Sequence, residues 1–456
     1  MSRPSLPKGL IVLAAIALLL PPVLPGSGMA QGQDNAAASP AVSFEEAVRT
    51  ALSNAREVRL AAADVRITAE GRTVAAARRL PRLDASGDYT ALSEPPSAFL
   101  LGNAIQTADK NIWRARLTAE QTIYDFGRTS SRVDQAGARI DNAVLQEGLA
   151  RERQAFDVIS AFLSAKRADE LRQVAEESLA TAKDHRRVAG DQYEFGTVAK
   201  NDVLAADVQV ANAESALITA EIQVELSRSR LALRMGYPGD RSLTPAPGPF
   251  PVPSEGAPRL SDSLRAALDK RNELRAQGAV IREGEAAAAA ARTEFTPTFF
   301  GQGGYSYEAN DLNPHKSVFS ILLGGKVNLF SGFADGASLH QARLTVDRRR
   351  EVLSKLQDEI ALEVKAAHLF VAEAEKRKAV AEVAVARAEE NLRIQNDRYK
   401  EGLAISTEVL DAQTLLTRAK VDRQNAVYDL FEARYRLLAA RGELLEFLAP
   451  LIVAGR

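Results

Sequence analysis

The chain has 456 residues, with 58 basic residues against 59 acidic ones, four histidines and no cysteine. The near-zero net charge gives no support for nucleic-acid binding, and the missing cysteine excludes disulfides and thiol-linked lipid attachment. His185, His315, His340 and His368 are scattered along the chain, so they read as surface or packing residues rather than metal ligands.

The N-terminus reads as an export signal over residues 1–30. Arg3 and Lys8 give it a positive start, and Leu10 to Leu20 is an apolar run too short to span a bilayer as a helix. Gly28-Met29-Ala30 offers small residues for cleavage, so the mature chain is expected to begin at Gln31.

From there the chain is written twice. Tyr193-Glu194-Phe195-Gly196-Thr197 and Asp202-Val203-Leu204 return as Tyr399-Lys400-Glu401-Gly402-Leu403 and Glu408-Val409-Leu410, a spacing of 206 residues from Tyr193 to Tyr399. The same spacing pairs Tyr124 with Phe330, Gln135 with Gln341, Asp141 with Asp347 and Gly236 with Gly442. An inserted residue would rotate the rest of a helix by about 100°, so a spacing kept over this length implies long helices packed along their sides. Upstream the spacing is 216, pairing Arg49 with Arg265, Glu57 with Glu273 and Pro81 with Pro297. The first copy therefore carries an insertion of 10 residues between Pro81 and Tyr124, which is expected in a loop.

The first repeat is assigned to 31–236, with a helix over 44–79, strands over 82–124 and a helical hairpin over 127–235. Ser43 is the expected N-cap, with Glu46 completing a capping box, and Pro81 ends the first helix. A Pro/Gly-rich connector follows over 237–258. The second repeat covers 259–442, with a helix over 261–293, strands over 298–330 and a hairpin over 333–441. In its long helix Leu353, Leu356, Ile360, Val364, Ala367, Val371 and Ala374 step by three and four, marking one apolar face. Residues 443–456 are left as a C-terminal tail.

The strands alternate. Leu83, Ala85, Tyr89, Trp113, Leu117, Phe299, Tyr305, Phe319, Ile321 and Leu323 are at odd positions, while Arg82, Asp84, Asp88, Arg114, Thr118, Glu120, Gln302 and Ser320 are at even ones. A soluble two-faced sheet would show the same alternation, but ten or more residues per strand with aromatics on the apolar face suit a membrane barrel. An open sheet edge cannot sit in lipid, and small barrels need about eight strands. Four strands per chain must then be completed by other copies, two or three of them.

The duplicated helix-strand-strand-helix-helix plan and the paired turns at Gly196 and Gly402 resemble the TolC family of outer-membrane efflux proteins, over essentially the whole mature chain. The resemblance implies a mainly α protein with a membrane β-barrel: a homotrimer whose 12-stranded barrel in the outer membrane continues as a 12-helix periplasmic α-barrel. It implies a passive exit duct of an efflux or type I secretion system, opened by a periplasmic adaptor and an inner-membrane pump, with outer-membrane lipid as surroundings, no enzymatic activity and no cofactor. By the same resemblance the turns Phe195-Gly196-Thr197 and Glu401-Gly402-Leu403 dock the adaptor, although Phe195 and Glu401 replace the family's usual small apolar residue. Tyr399 and Asp202 match a pair that clasps neighbouring helices shut, and Glu408 and Asp411 match rings of acids at the closed end that attract cations. Ala404 stands where the family carries a latching arginine. The competing reading is a periplasmic coiled-coil structural or adaptor protein, which explains the helices but not four parity-matched strands.

Overall fold

The computed structural model describes residues 41–100, 102–253 and 258–453; the expected export signal lies outside the described residues. The first repeat opens with β1 (Ala41–Val42), α1 (Phe44–Asn54) and α2 (Arg56–Ala77). Then come β2 (Arg82–Ala91), β3 (Ser97–Leu100), β4 (Asn103–Gln106), β5 (Asn111–Tyr124), α3 (Arg128–Glu194) and α4 (Lys200–Arg234). After β6 (Thr244–Pro245) the second repeat runs α5 (Leu260–Lys270), α6 (Asn272–Arg292), β7 (Thr298–Ala309), β8 (Ser317–Lys326), α7 (Ala334–Lys400) and α8 (Ser406–Ala440), followed by α9 (Leu444–Val453). Both α3 and α7 have 67 residues, and both α4 and α8 have 35, so the duplication holds to the residue. At 1.5 Å per residue, each long helix is about 100 Å long.

Three features differ from the sequence expectation. The helices expected over 44–79 and 261–293 are each broken in two, at Ala55 (ψ 137°) and Arg271 (ψ 125°), which are 216 residues apart. The cause is a neighbour. Gly236 follows α4 with φ +87°, and a Cβ there would lie 2.6 Å from the Asn54 carbonyl oxygen. Gly442 follows α8 with φ +70°, and a Cβ there would meet the Arg271 nitrogen at 3.2 Å. Each glycine turn thus fits against its helix break. Gly236→Ala combines a left-handed backbone with a backbone clash, and it is expected to lower stability by at least about 2 kcal/mol, measured as a fall in the denaturation midpoint.

The expected connector also packs into a core. Its β6 pairs in parallel with β1, Phe250 stacks on Phe44 with ring centroids 6.0 Å apart, and the Tyr435 hydroxyl donates to the Pro251 carbonyl. Phe44 in turn packs edge-on to Phe162 of α3, and its helix is capped by the Ser43 hydroxyl, which accepts the Glu46 N–H at 3.1 Å. The expected tail is a helix instead: Leu444 and Leu448 of α9 are fully buried in this same core. In α7 the anticipated face is buried from Ile360 through Val364, Ala367 and Val371 to Ala374, against Leu430, Ala433 and Leu437 of α8.

Four strands form one antiparallel sheet in the order β2-β5-β7-β8. Its register aligns Ala85, Leu117, Tyr305 and Phe319 in one row and Asp84, Thr118, Gly304 and Ser320 in the next. Directly paired residues point to the same side, so the odd positions of all four strands share a face. That face is bare in the single chain: Leu83, Phe319, Ile321 and Leu323 are each between 68% and 73% exposed. On the even face Arg114 lies between Asp88 and Glu308, 3.8 and 3.1 Å away. The insertion of the first copy is also visible. The last pairs of the two hairpins are Ala91 with Asn111 and Tyr307 with Ser317, separations of 20 and 10 residues, and the β3–β4 hairpin occupies the longer connection.

Candidate functional site

The two interhelical turns are near-identical. After α3, the Gly196 N–H bonds the Tyr193 carbonyl and the Thr197 N–H bonds the Gln192 carbonyl, both at 2.9 Å. After α7, Gly402 N–H reaches the Tyr399 carbonyl at 3.1 Å and Leu403 N–H the Arg398 carbonyl at 2.8 Å. This is the Schellman pattern, which needs a left-handed residue at its centre, and both glycines have φ +74°. Phe195 and Leu403 are held outward at 84% and 65% exposure, two apolar side chains left largely in water. Glu401 is also exposed.

The turns come together because α3 packs on α8. The Gln192 amide donates to the Tyr399 carbonyl at 3.4 Å, and Lys420 of α8 pairs with Glu177 of α3 at 2.8 Å. Leu392, Tyr399, Val409 and Ala412 form a small core here, to which Val188, Val198 and Ala404 add. Ala404, where the family resemblance led to an arginine, is thus a packing residue.

Tyr399 is 3% exposed, and its hydroxyl makes no well-formed hydrogen bond among the described residues, although the Ser406 hydroxyl is near enough to act on it. The expected bond to Asp202 is therefore not made in the single chain. Burial pushes the Tyr399 phenol above its ordinary pKa, and the Asp202 carboxylate adds to that. Asp202 itself is half-buried in the first turn of α4. Glu408 and Asp411 lie on exposed positions at the start of α8, three residues apart on one side of the helix. Among the described residues, no group of His, Asp and Glu is arranged to hold a metal ion.

His185, expected only as a surface or packing residue, meets Ser406, which the sequence does not single out. His185 Nε2 lies 2.9 Å from Ser406 Oγ, both residues are buried, and the imidazole is 5.1 Å from the Tyr399 ring. Nothing in the local sequence marks them, since the contact joins residues 221 positions apart.

Comparison with known proteins places this geometry. The family model described as outer membrane efflux protein matches residues 47–237 and 263–443, one segment in each repeat. The outer membrane efflux protein BepC of Brucella suis is 21% identical over 336 residues, 71% of each chain. A membrane protein from Pseudomonas aeruginosa superimposes with a TM-score of 0.77 at 19% identity, over 89% of this chain and 91% of that one. The CmeC outer membrane channel of Campylobacter jejuni gives 0.74 at 15% identity, over 96% and 99%.

Proposed function

The chain belongs to the outer membrane efflux protein family, and from that premise we propose that it is the outer-membrane exit duct of an efflux or type I secretion system. Three copies complete one barrel, four strands each, and their helices continue it through the periplasm. The observation that carries this reading is the sheet: it has two unpaired edges, β2 and β8, and one face of exposed apolar side chains in matched register. Lipid forbids open edges, so joining β2 of one copy to β8 of the next removes both liabilities at once.

Aromatic residues at the two ends of the sheet support this. Tyr89 and Trp113 are in contact at one end, with ring centroids 4.6 Å apart, and Tyr124, Phe126 and Phe299 cluster at the other. From Trp113 to Ile123 the strand rises roughly 34 Å at about 3.4 Å per residue. A tilt of about 40° reduces that to roughly 25 Å, the height of the apolar band between two aromatic girdles. Fractionation combined with cross-linking tests the reading: the protein should stay with outer membrane after salt washing and give a trimeric product. Release by salt as a monomer would overturn it.

In this reading the turns at Gly196 and Gly402 form the periplasmic tip, and Phe195, Thr197, Glu401 and Leu403 meet the adaptor. Tyr399 and Asp202 form the clasp that holds neighbouring helices shut, the tyrosine hydroxyl donating to the carboxylate in the closed state, and Glu408 and Asp411 line the closed end. An inner-membrane pump supplies energy and selects cargo. Asp202→Ala with Tyr399→Phe is expected to raise single-channel conductance in planar bilayers, whereas Glu408→Ala with Asp411→Ala relieves block by multivalent cations and leaves assembly intact. Unchanged conductance in the first case would reject the clasp; unchanged block in the second would reject the acidic ring.

A further inference from the structure

His185 lies on α3 about three helical turns before the Gly196 turn, and Ser406 opens α8 in the other hairpin. Their 2.9 Å contact therefore ties the first repeat to the second beside the tip. The duplication does not account for it: the 206-residue shift places Asn391 opposite His185 and Lys200 opposite Ser406, so the equivalent positions carry neither a histidine nor a serine. The surroundings are polar: the Tyr399 ring lies 5.1 Å from the imidazole, and the Ser406 hydroxyl acts on the Tyr399 phenol as well as on His185. We propose that His185 is a positioning residue of the gate: neutral, it latches α3 to the start of α8 through Ser406; protonated, it releases them, so that acid opens the tip. This rests on the reading of the turn end as the closed end of a channel.

The charges around the imidazole set the direction. From α4 it faces the Asp202 carboxylate, while Asp207 on the same helix is engaged 2.9 Å from Arg186. From α7 it faces the neutral Tyr399 phenol, and from α8 the Ser406 hydroxyl; Glu408 and Asp411 of α8 are at exposed positions. On its own helix Arg187 pairs with Asp184 and Asp191 in solvent. Burial disfavours the imidazolium and outweighs the favourable Asp202 charge, so the latched imidazole has a pKa below its ordinary value. A latched His185 thus binds a proton more weakly than a solvated one. Lowering the pH through the ordinary imidazole range must then shift the population towards the unlatched arrangement, and a trimer repeats the effect three times.

The test is planar-bilayer conductance of the purified full-length protein. Between about pH 7.5 and about pH 5.5 the wild type is expected to gain about twofold or more in conductance, reversibly, as its imidazoles charge. His185→Gln keeps a hydrogen-bonding side chain but cannot titrate, and its conductance should stay low at both values. If His185→Gln does not assemble, Ser406→Ala carries the test: lacking the latch, it should conduct at neutral pH as the wild type does in acid. An undiminished acid response in His185→Gln, a flat wild type, or a Ser406→Ala channel identical to wild type at neutral pH would each overturn the latch. A preparation that forms no channel at either pH contradicts the channel reading itself, and the latch with it.

Discussion

Replacing Leu117 or Ile321 by arginine is expected to stop assembly of the outer-membrane form. Leu117 is at the middle of β5 and Ile321 at the middle of β8, so both lie near the bilayer midplane in the proposed barrel. Their cross-strand neighbours on the odd face are Ala85 and Tyr305 for Leu117, and Gly303 for Ile321, none of which offers a counter-charge. An arginine at such a position costs roughly 2–4 kcal/mol in a membrane barrel, and the threefold symmetry proposed above would impose it three times. Thr118→Arg is the control. It points to the even side, where Asp84 is its direct partner on β2, and it should assemble close to normally. The trimer yield in outer-membrane fractions decides the matter, and equal yields for all three variants would reject the assignment of faces.

The second large effect is expected at the turns. Gly196→Val and Gly402→Val should leave the trimer assembled and abolish export. A Cβ at either glycine meets nothing within 4 Å, so packing does not forbid it; the obstacle is the backbone at φ +74°. A left-handed conformation costs an ordinary residue roughly 1–2 kcal/mol, and a β-branched one more. The turn would relieve this by changing shape, which moves Phe195 or Leu403, while the long α3–α4 and α7–α8 contacts hold the hairpins together. Gly→Asn at the same positions should retain more activity, since asparagine enters this region more readily. Export assays beside cross-linked trimer levels give the readout, and normal export by both valine variants would exclude docking through these turns.

Much of the fold was legible because the duplication exposes it. The spacing of 206 predicts equal hairpins, and α3 and α7 match in length to the residue. The parity of the strands predicts one apolar face, and the register delivers it through Ala85, Leu117, Tyr305 and Phe319. The helix breaks at Ala55 and Arg271 were not legible. Neither position carries a proline or glycine, and alanine is the best helix former; the break is imposed from outside, by the turns at Gly236 and Gly442. The packing of the connector and of the C-terminal segment is hidden for a related reason. Proline and glycine in 237–258 signal irregular backbone, but irregular backbone can still be packed, as Phe250 and the Pro251 carbonyl show.

At the candidate site the glycines could be read, because a tight turn after a helix has a local chemical requirement. The partners of Tyr399 could not. Its hydroxyl is expected to bond Asp202 by resemblance, yet among the described residues it makes no such bond, while the contact that does form joins His185 and Ser406 across the repeats. Periodicity reports which face of a helix is buried, but not which side chains meet across two helices.

The most direct test of the account is the oligomeric state and form of the protein in detergent, seen by electron microscopy. The account predicts a threefold particle whose helical part is a hollow cylinder about 100 Å long, the length of α3 and α7, capped at one end by a detergent belt around the barrel. A monomeric or dimeric particle, or a solid rod with no belt, would contradict it.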